Sequence, residues 1–134
     1  MIQANKVYES VLAGKKIDSR GAFLGNNRLS EPQMRNLSEI FQIESGQVYT
    51  RGKRKKGGGG YYLLYSGTIN RIFIPINKNE YLINHTHPLG TQKPSIFDVQ
   101  YLKNAEIIGS FQRKSTIFPI GFPSFQFNKY TQTA

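Results

Sequence analysis

Apolar residues recur at helical spacing near the N-terminus of the chain. The positions that define this spacing are Val7, Val11 and Leu12. They predict a short helix that Gly14 would end. Basic residues, glycines and an asparagine pair follow over 15–28, and this segment is predicted to form a loop. We therefore expect residues 1–29 to form an N-terminal extension or linker.

A second helix is predicted over residues 31–42. Ser30 can serve as its N-cap, and Pro32 is tolerated within its first turn. Four apolar residues then fall on one face at helical spacing: Met34, Leu37, Ile40 and Phe41. This amphipathic helix is expected to open the main domain, which would span residues 30–134.

After this helix, the apolar pattern shortens to short runs of β-branched and aromatic residues, which are typical of strands. These runs occupy 47–52, 61–67, 68–76 and 80–85, and later 105–112, 115–121 and 125–130. Between the two groups, a helix is predicted from Ser95 to about Asn104, with an apolar face that includes Val99 and Leu102. The order predicts an α/β (α+β) domain with a central mixed sheet flanked by helices.

The composition restricts the class of protein. A chain of 134 residues with 38% apolar residues is long enough for one hydrophobic core. It contains no cysteine, which excludes disulfides, thiolate catalysis and cysteine-ligated metal sites. No window has the run of about eighteen apolar residues that a membrane span requires, and the first residues do not resemble a signal peptide. We expect any delivery from a bacterial cell to occur as part of a larger secreted protein.

Basic residues greatly outnumber acidic ones, with 18 Lys and Arg against 8 Asp and Glu and a net charge of +10. Such a balance suits an acidic protein, an anionic surface or nucleic acid as partner. The densest cluster comprises Lys53, Arg54, Lys55 and Lys56, followed by four glycines, and is predicted to form a flexible hairpin tip. Two interpretations stay open for these four residues, a solvated tip and a binding site for an acidic partner.

The chain has only two histidines, His85 and His87. Because residues i and i+2 of a strand share a face, both imidazoles can reach one ion. Taken alone, the pair is explained more simply as two surface histidines beside a turn. Ser95 and Asp98 then complete the pattern H-x-H-x(7)-S-x-x-D, in which the first turn of the predicted helix would direct the Asp98 carboxylate back toward the histidines. Ser and Asp at this spacing also resemble a helix capping box, and the two interpretations are compatible.

The complete pattern resembles the signature of the JAMM zinc metallopeptidases, also called JAB or MPN domains. The proline after the second histidine and the Pro-Ser pair before the helix agree with that signature. The order of predicted elements over about residues 30–120 is similar as well. Glu44, between the helix and the first strand, stands where the family has its catalytic glutamate. Its glycine, Gly46, comes one residue earlier than in many relatives, and Glu39 is the alternative acid.

The resemblance implies a role for each of these residues. His85, His87 and Asp98 would hold Zn²⁺ and leave a fourth position for water. Glu44 would act as general base and then general acid, and Ser95 would donate a hydrogen bond to the oxyanion. The small, basic, cysteine-free form is most similar to the JAMM domains at the C-termini of bacterial polymorphic toxins. A toxin domain of this kind implies a protein or peptide substrate and an acidic immunity protein as partner.

The sequence therefore predicts a zinc-dependent hydrolase that cleaves a peptide or isopeptide bond, as the toxin domain of a bacterial effector. Two further classes stay open. Two histidines, an aspartate and a basic surface also suit a metal-dependent nuclease toxin, which would bind nucleic acid. A JAMM-like domain can also be a non-catalytic binding module. A zinc deaminase is disfavoured, because its cysteine ligands are absent.

Overall fold

The computed structural model describes residues 2–52 and 59–134. The helices and strands of this part of the chain are α1 (Gln3–Leu12), β1 (Ala22–Gly25), α2 (Glu31–Phe41), β2 (Ser45–Thr50), β3 (Tyr61–Ser66), β4 (Glu80–His87), α3 (Ile96–Ile107), β5 (Lys114–Pro119) and β6 (Phe125–Asn128). The predicted basic tip of Lys53, Arg54, Lys55 and Lys56 lies outside the described residues.

The six strands form one sheet in the order β1-β3-β2-β4-β5-β6. Strands β4 and β5 run parallel, and the other described neighbours run antiparallel. Parallel neighbours need a crossover connection, and α3 supplies it between β4 and β5. A six-stranded mixed sheet with three helices confirms the predicted α/β (α+β) class.

The helices pack on opposite faces of the sheet. Phe118 and Ile117 are adjacent in β5 and therefore point to opposite faces. Phe118 belongs to a cluster with residues of α1, α2, β1, β3 and the segment before α2, namely Ala4, Val11, Leu24, Leu29, Met34, Leu37 and Leu64. Ile117 packs with Val99 and Leu102 of α3 and with Phe127 of β6. Burial of each such side chain stabilises the fold by about 1.5–3 kcal/mol, so both faces hold the sheet in place.

Residues 2–29 contribute to this sheet and core. The predicted N-terminal helix is α1, and Gly14 follows it with a φ of 102°. The prediction of a loop over 15–28 is wrong at β1, which pairs antiparallel with β3 and buries Leu24 completely. A four-residue strand that ends in glycine has too little alternation to be recognised from sequence, because its partner strand defines it.

The predicted cap of α2 is confirmed. The Ser30 hydroxyl accepts a hydrogen bond from the Gln33 backbone N–H, and the Gln33 side chain accepts one from the Ser30 N–H. Pro32 lies in the first turn, where its missing N–H costs no helical hydrogen bond. The helix ends at Phe41, and Gln42 adopts a left-handed conformation with a φ of 53°.

The predicted strand over 68–76 is wrong, because this segment is irregular. Its alternating isoleucines resemble a strand, but the Thr68 N–H donates to the Arg71 carbonyl at 2.7 Å and closes a tight turn. Pro75 has no N–H to offer a neighbouring strand. Two of the isoleucines pack over Gly46 on β2 instead. The segment thereby covers the same sheet face as α3.

The predicted strand over 105–112 is also wrong. Helix α3, predicted to end near Asn104, continues to Ile107, and Gly109 follows with a φ of 84°. The adjacent apolar residues Ile107 and Ile108 resemble a strand in sequence, yet both are exposed at the helix end. Among the helices of residues 2–52 and 59–134, none combines the length and apolar character needed to cross a membrane.

Candidate metal centre

The two histidines lie close together at the end of β4, on the sheet face that α3 covers. The Nε2 atoms of His85 and His87 lie 3.1 Å apart, and both side chains are buried. The pairing of β2 with β4 shifts register, since Gln47 lies opposite Asn84 and Val48 lies opposite Leu82. Both imidazoles thus point to one face, as their spacing predicts.

The orientation of His87 is fixed by the turn that follows β4. Its Nδ1 lies 2.7 Å from the Thr91 carbonyl and can donate a hydrogen bond to it. When the ring is neutral, that bond places its proton on Nδ1 and leaves the Nε2 lone pair directed into the site, whereas the protonated ring can also donate from Nε2 to Asp98. The His87 carbonyl accepts hydrogen bonds from the N–H groups of Gly90 and Ile120 at 3.0 and 3.1 Å. Hydrogen bonds therefore fix both the backbone and the ring of His87.

His85 is enclosed by the core. Its ring packs edge-on against Phe127, with ring centroids 6.2 Å apart, and the side chain is fully buried. Its Nδ1 has no hydrogen-bond partner in the part of the chain that the structure describes. Its polar neighbours are instead gathered around Nε2, which makes this nitrogen the donor atom that faces the site.

Asp98 reaches the histidines from the first turn of α3. Its Oδ1 lies 3.1 Å from Nε2 of His85, and its Oδ2 lies 3.2 Å from Nε2 of His87. Ser95 is the N-cap of this helix. Its N–H donates to Oδ2 of Asp98 at 2.8 Å, and its hydroxyl accepts from the Asp98 N–H at 3.1 Å. The capping box therefore also positions the carboxylate beside the imidazole pair.

Glu44 lies immediately before β2. Its N–H donates to the Thr68 carbonyl, and its own carbonyl accepts from the Gly67 N–H, both at 2.7 Å. A carboxylate oxygen of Glu44 and one nitrogen of each histidine lie within 4.8 Å of one another. These three buried residues could hold a metal ion. Glu39, the alternative acid, is exposed on α2 and is not part of this group.

The pKa values of the two carboxyl groups are shifted in opposite directions. Burial raises the pKa of Glu44 to about 7, and the nearby imidazoles only partly offset this. Burial also pushes the pKa of Asp98 upward, but the charge of His85 and the hydrogen bonds from His85, His87 and the Ser95 N–H outweigh it and hold that pKa well below its usual range. Burial lowers the pKa of His87, while the hydrogen bonds to Asp98 and Thr91 outweigh it and give a net increase.

The spacing of the donor atoms suits a small cation. Zinc bonds of about 2.0–2.1 Å in a tetrahedron place the ligand atoms about 3.3 Å apart. The contacts from Asp98 to the two Nε2 atoms, and between those atoms, are 3.1–3.2 Å. The sequence predicted Asp98 as the third ligand, whereas the three residues whose ligand atoms lie within 4.8 Å of one another include Glu44 beside the two histidines. We favour Asp98, because each of its oxygens directly contacts one imidazole.

Two contributors to the site were not predicted from the sequence. The Thr91 carbonyl orients His87, and the Thr86 hydroxyl accepts a hydrogen bond from the Ser45 N–H at 2.8 Å. The second contact ties the start of β2, next to Glu44, to the end of β4. A backbone carbonyl carries no sequence signal, and a threonine between two histidines is not distinctive.

No protein-family model, curated protein or solved structure matches this chain. The resemblance to the JAMM family therefore stays a prediction.

Proposed function

We propose that the chain is a zinc-dependent hydrolase of the JAMM metallopeptidase type, which cleaves a peptide or isopeptide bond. One observation carries the proposal. Three donor groups, from His85, His87 and Asp98, converge at 3.1–3.2 Å beside the buried carboxyl group of Glu44. A set of three ligands with a separate acid is the arrangement that metal-dependent hydrolysis requires.

The donor set favours zinc as the metal. Two imidazole nitrogens and one carboxylate oxygen suit zinc better than Mg²⁺ or Ca²⁺, which prefer oxygen ligands. The orientation of His87 by a backbone carbonyl is the outer contact that metal-bound histidines usually make. When bound, zinc would polarise the scissile carbonyl and lower the pKa of the attacking water.

Glu44 is the proposed general base. In the metal-free protein burial raises its pKa to about 7, so the carboxyl group has a high proton affinity for a glutamate and is suited to accept and release a proton. It would take a proton from the attacking water and transfer it to the leaving amine. Asp98 is unsuited to this role, because its lowered pKa keeps it ionised and therefore a ligand.

Ser95 is the proposed donor to the oxyanion. Its hydroxyl oxygen accepts a hydrogen bond from the Asp98 N–H, which leaves its own O–H proton available to donate. A donor directed at the oxygen that becomes negatively charged stabilises the transition state. The N-cap position holds this hydroxyl at the same helix terminus as the third ligand.

The net charge of +10 supports the toxin context of the proposal. A strongly basic domain associates quickly with an acidic partner, as an immunity protein would have to do to protect the producing cell. Under this proposal, the substrate is a protein or peptide and the immunity protein is acidic.

A quenched-fluorescent peptide library tests the hydrolase proposal. The zinc-loaded protein should cleave part of the library, and Glu44→Gln should reduce turnover about 10²–10⁴-fold, the usual contribution of a general base. Glu39→Gln is the matched control and should keep full activity, since Glu39 is exposed on α2. Loss of activity in the control alone would show that the wrong acid was chosen. Metal-dependent cleavage of DNA or RNA that disappears with His85→Ala would support the nuclease instead.

A further inference from the structure

A groove of about 290 Å³ runs along α3. The irregular segment 71–76 forms one wall, and α3 from Phe97 to Asn104 forms the other. Asp98 lines the groove and also contacts both histidines, so the groove adjoins one proposed zinc ligand. Seven helical residues advance about 10 Å, which is the length of about three residues of extended peptide.

The floor of the groove is apolar. It is formed by Ile72 and Ile74 of the irregular segment, Leu82 of β4 and Tyr101 of α3. Ile74 and Leu82 are buried, whereas Ile72 and Tyr101 are partly exposed. An apolar side chain that entered this groove would remove its own surface and that of the floor from water. Glycine would leave the floor unfilled.

The α3 wall carries a pair of amide side chains one turn apart. Gln100 Nε2 donates to Asn104 Oδ1 at 2.9 Å. This bond leaves the Gln100 Oε1 as acceptor and the Asn104 Nδ2 as donor, and both residues line the groove. An extended peptide presents alternating N–H and C=O groups along its edge, so this pair can bind a peptide backbone without regard to its side chains.

Arg71 stands at the rim of the groove. Its guanidinium lies 4.4 Å from the centre of the Phe97 ring, and the residue is exposed. It forms no ion pair with an acidic side chain among residues 2–52 and 59–134. Stacking on an aromatic ring holds a guanidinium in place while its N–H groups stay available for a carboxylate.

We infer that this groove selects the substrate as an extended peptide segment, with a bulky apolar residue beside the cleaved bond and an acidic residue next to Arg71. The inference specifies the substrate of the hydrolase proposed above and rests on that proposal. Because Asp98 lines the groove, an apolar side chain bound there would lie close to the reacting bond, and the charge of Arg71 would select the acidic neighbour.

Binding to zinc-loaded Glu44→Gln protein tests this selectivity without turnover. The probe is a positional-scanning library of fluorescein-labelled octapeptides, with fluorescence anisotropy as the readout. Pools with Leu, Ile or Phe next to Asp or Glu should bind at least tenfold more tightly than glycine pools. Arg71→Glu should reverse the preference from acidic to basic neighbours, and Asn104→Trp should fill the groove and weaken the apolar preference about tenfold.

Lys103 provides the matched controls, because it is exposed on α3 next to Asn104 and does not line the groove. Lys103→Glu and Lys103→Trp should leave both preferences unchanged. Equal effects of Arg71→Glu and Lys103→Glu, or equal binding of glycine and leucine pools, would overturn the inference. Wild-type protein that hydrolyses all pools equally would overturn it while the proposed function stands. Selective binding with no hydrolysis of any pool would uphold the groove and refute the hydrolase.

Discussion

At the scale of single residues, two carboxyl groups flank one pair of imidazoles and differ in protonation. The Asp98 carboxylate directly contacts both rings and stays ionised, whereas the buried Glu44 carboxyl group has a pKa near neutrality. When two titrating groups in one site have such different surroundings, one stays charged while the other can accept and release a proton. The chemical division of the site thus follows from how each carboxyl group is packed.

This difference predicts how the stability of the metal-free protein depends on pH. Glu44 has a pKa of about 7 when folded and 4.5 as the ordinary value. The folded state therefore holds the proton more tightly, and its stabilising contribution is complete below pH 4.5 and is lost as pH rises to about 7. We expect the free energy of unfolding to fall by about 3 kcal/mol across this window. Urea unfolding from pH 4 to 8 would measure it.

Glu44→Gln should remove this part of the pH dependence, because glutamine does not titrate. The difference between wild type and variant isolates Glu44 from the histidines, which titrate in the same range. Identical pH profiles for the two proteins would contradict the raised pKa of Glu44.

At the scale of elements, the N-cap of α3 has a second role that the N-cap of α2 lacks. Both helices begin with a serine in a capping box. In α2 the partner is Gln33, whereas in α3 the partner is Asp98, which also contacts the histidines. The same local motif therefore stabilises a helix in α2, whereas in α3 it stabilises a helix and also positions a candidate metal ligand.

Ser95→Ala and Ser30→Ala separate these two roles. Each should lower the free energy of unfolding by about 1 kcal/mol, the usual loss of an N-cap. Ser95→Ala alone should also weaken zinc binding about tenfold, because the hydroxyl that accepts from the Asp98 N–H is lost and the helix turn that carries Asp98 is held less firmly. Competition with a chromophoric chelator measures the affinity. If both variants bind zinc as tightly as wild type, Ser95 caps the helix without positioning Asp98.

The turn after β4 gives a second test at this scale. Gly90 has a φ of 80°, and a Cβ there would lie 3.0 Å from the Ile120 carbonyl oxygen. Gly90→Ala should displace the turn that carries Thr91, loosen His87 and reduce zinc affinity about tenfold. Gly121 is the matched control, since its φ is 87° and no atom lies within 4 Å of the added Cβ. Gly121→Ala should strain the backbone equally and leave zinc affinity unchanged, and equal losses would refute the role of the turn.

The sequence correctly predicted the elements that have both a hydrophobic periodicity and a capping residue of their own. Helix α2 has both, and its predicted N-cap, Ser30, agrees with the structure. Strand β1 and the segment 68–76 are decided by long-range pairing, which a single sequence does not display. The first gains a partner in β3, whereas the second folds back in a turn at Thr68. Local alternation alone cannot distinguish these outcomes.

At the scale of the whole molecule, the sheet joins sites that are distant in sequence. The sequence could predict that four of the site residues come together, because they lie within one β4–α3 unit: His85, His87, Ser95 and Asp98. Glu44 lies about forty residues earlier, and only the pairing of β2 with β4 brings it to the histidines. The groove along α3 was not predicted, because the irregular segment that forms its other wall was expected to be a strand.

The metal content of the purified protein tests the central claim most directly. Elemental analysis after dialysis should find one zinc per chain in the wild type and in Glu44→Gln, and almost none in His85→Ala or His87→Ala. Asp98→Asn should also lose most of the metal, because it removes the charged third ligand. Wild-type protein without zinc would contradict the metal site. Loss of zinc in Glu44→Gln with retention in Asp98→Asn would show that Glu44 is the ligand and that the proposed division of roles is wrong.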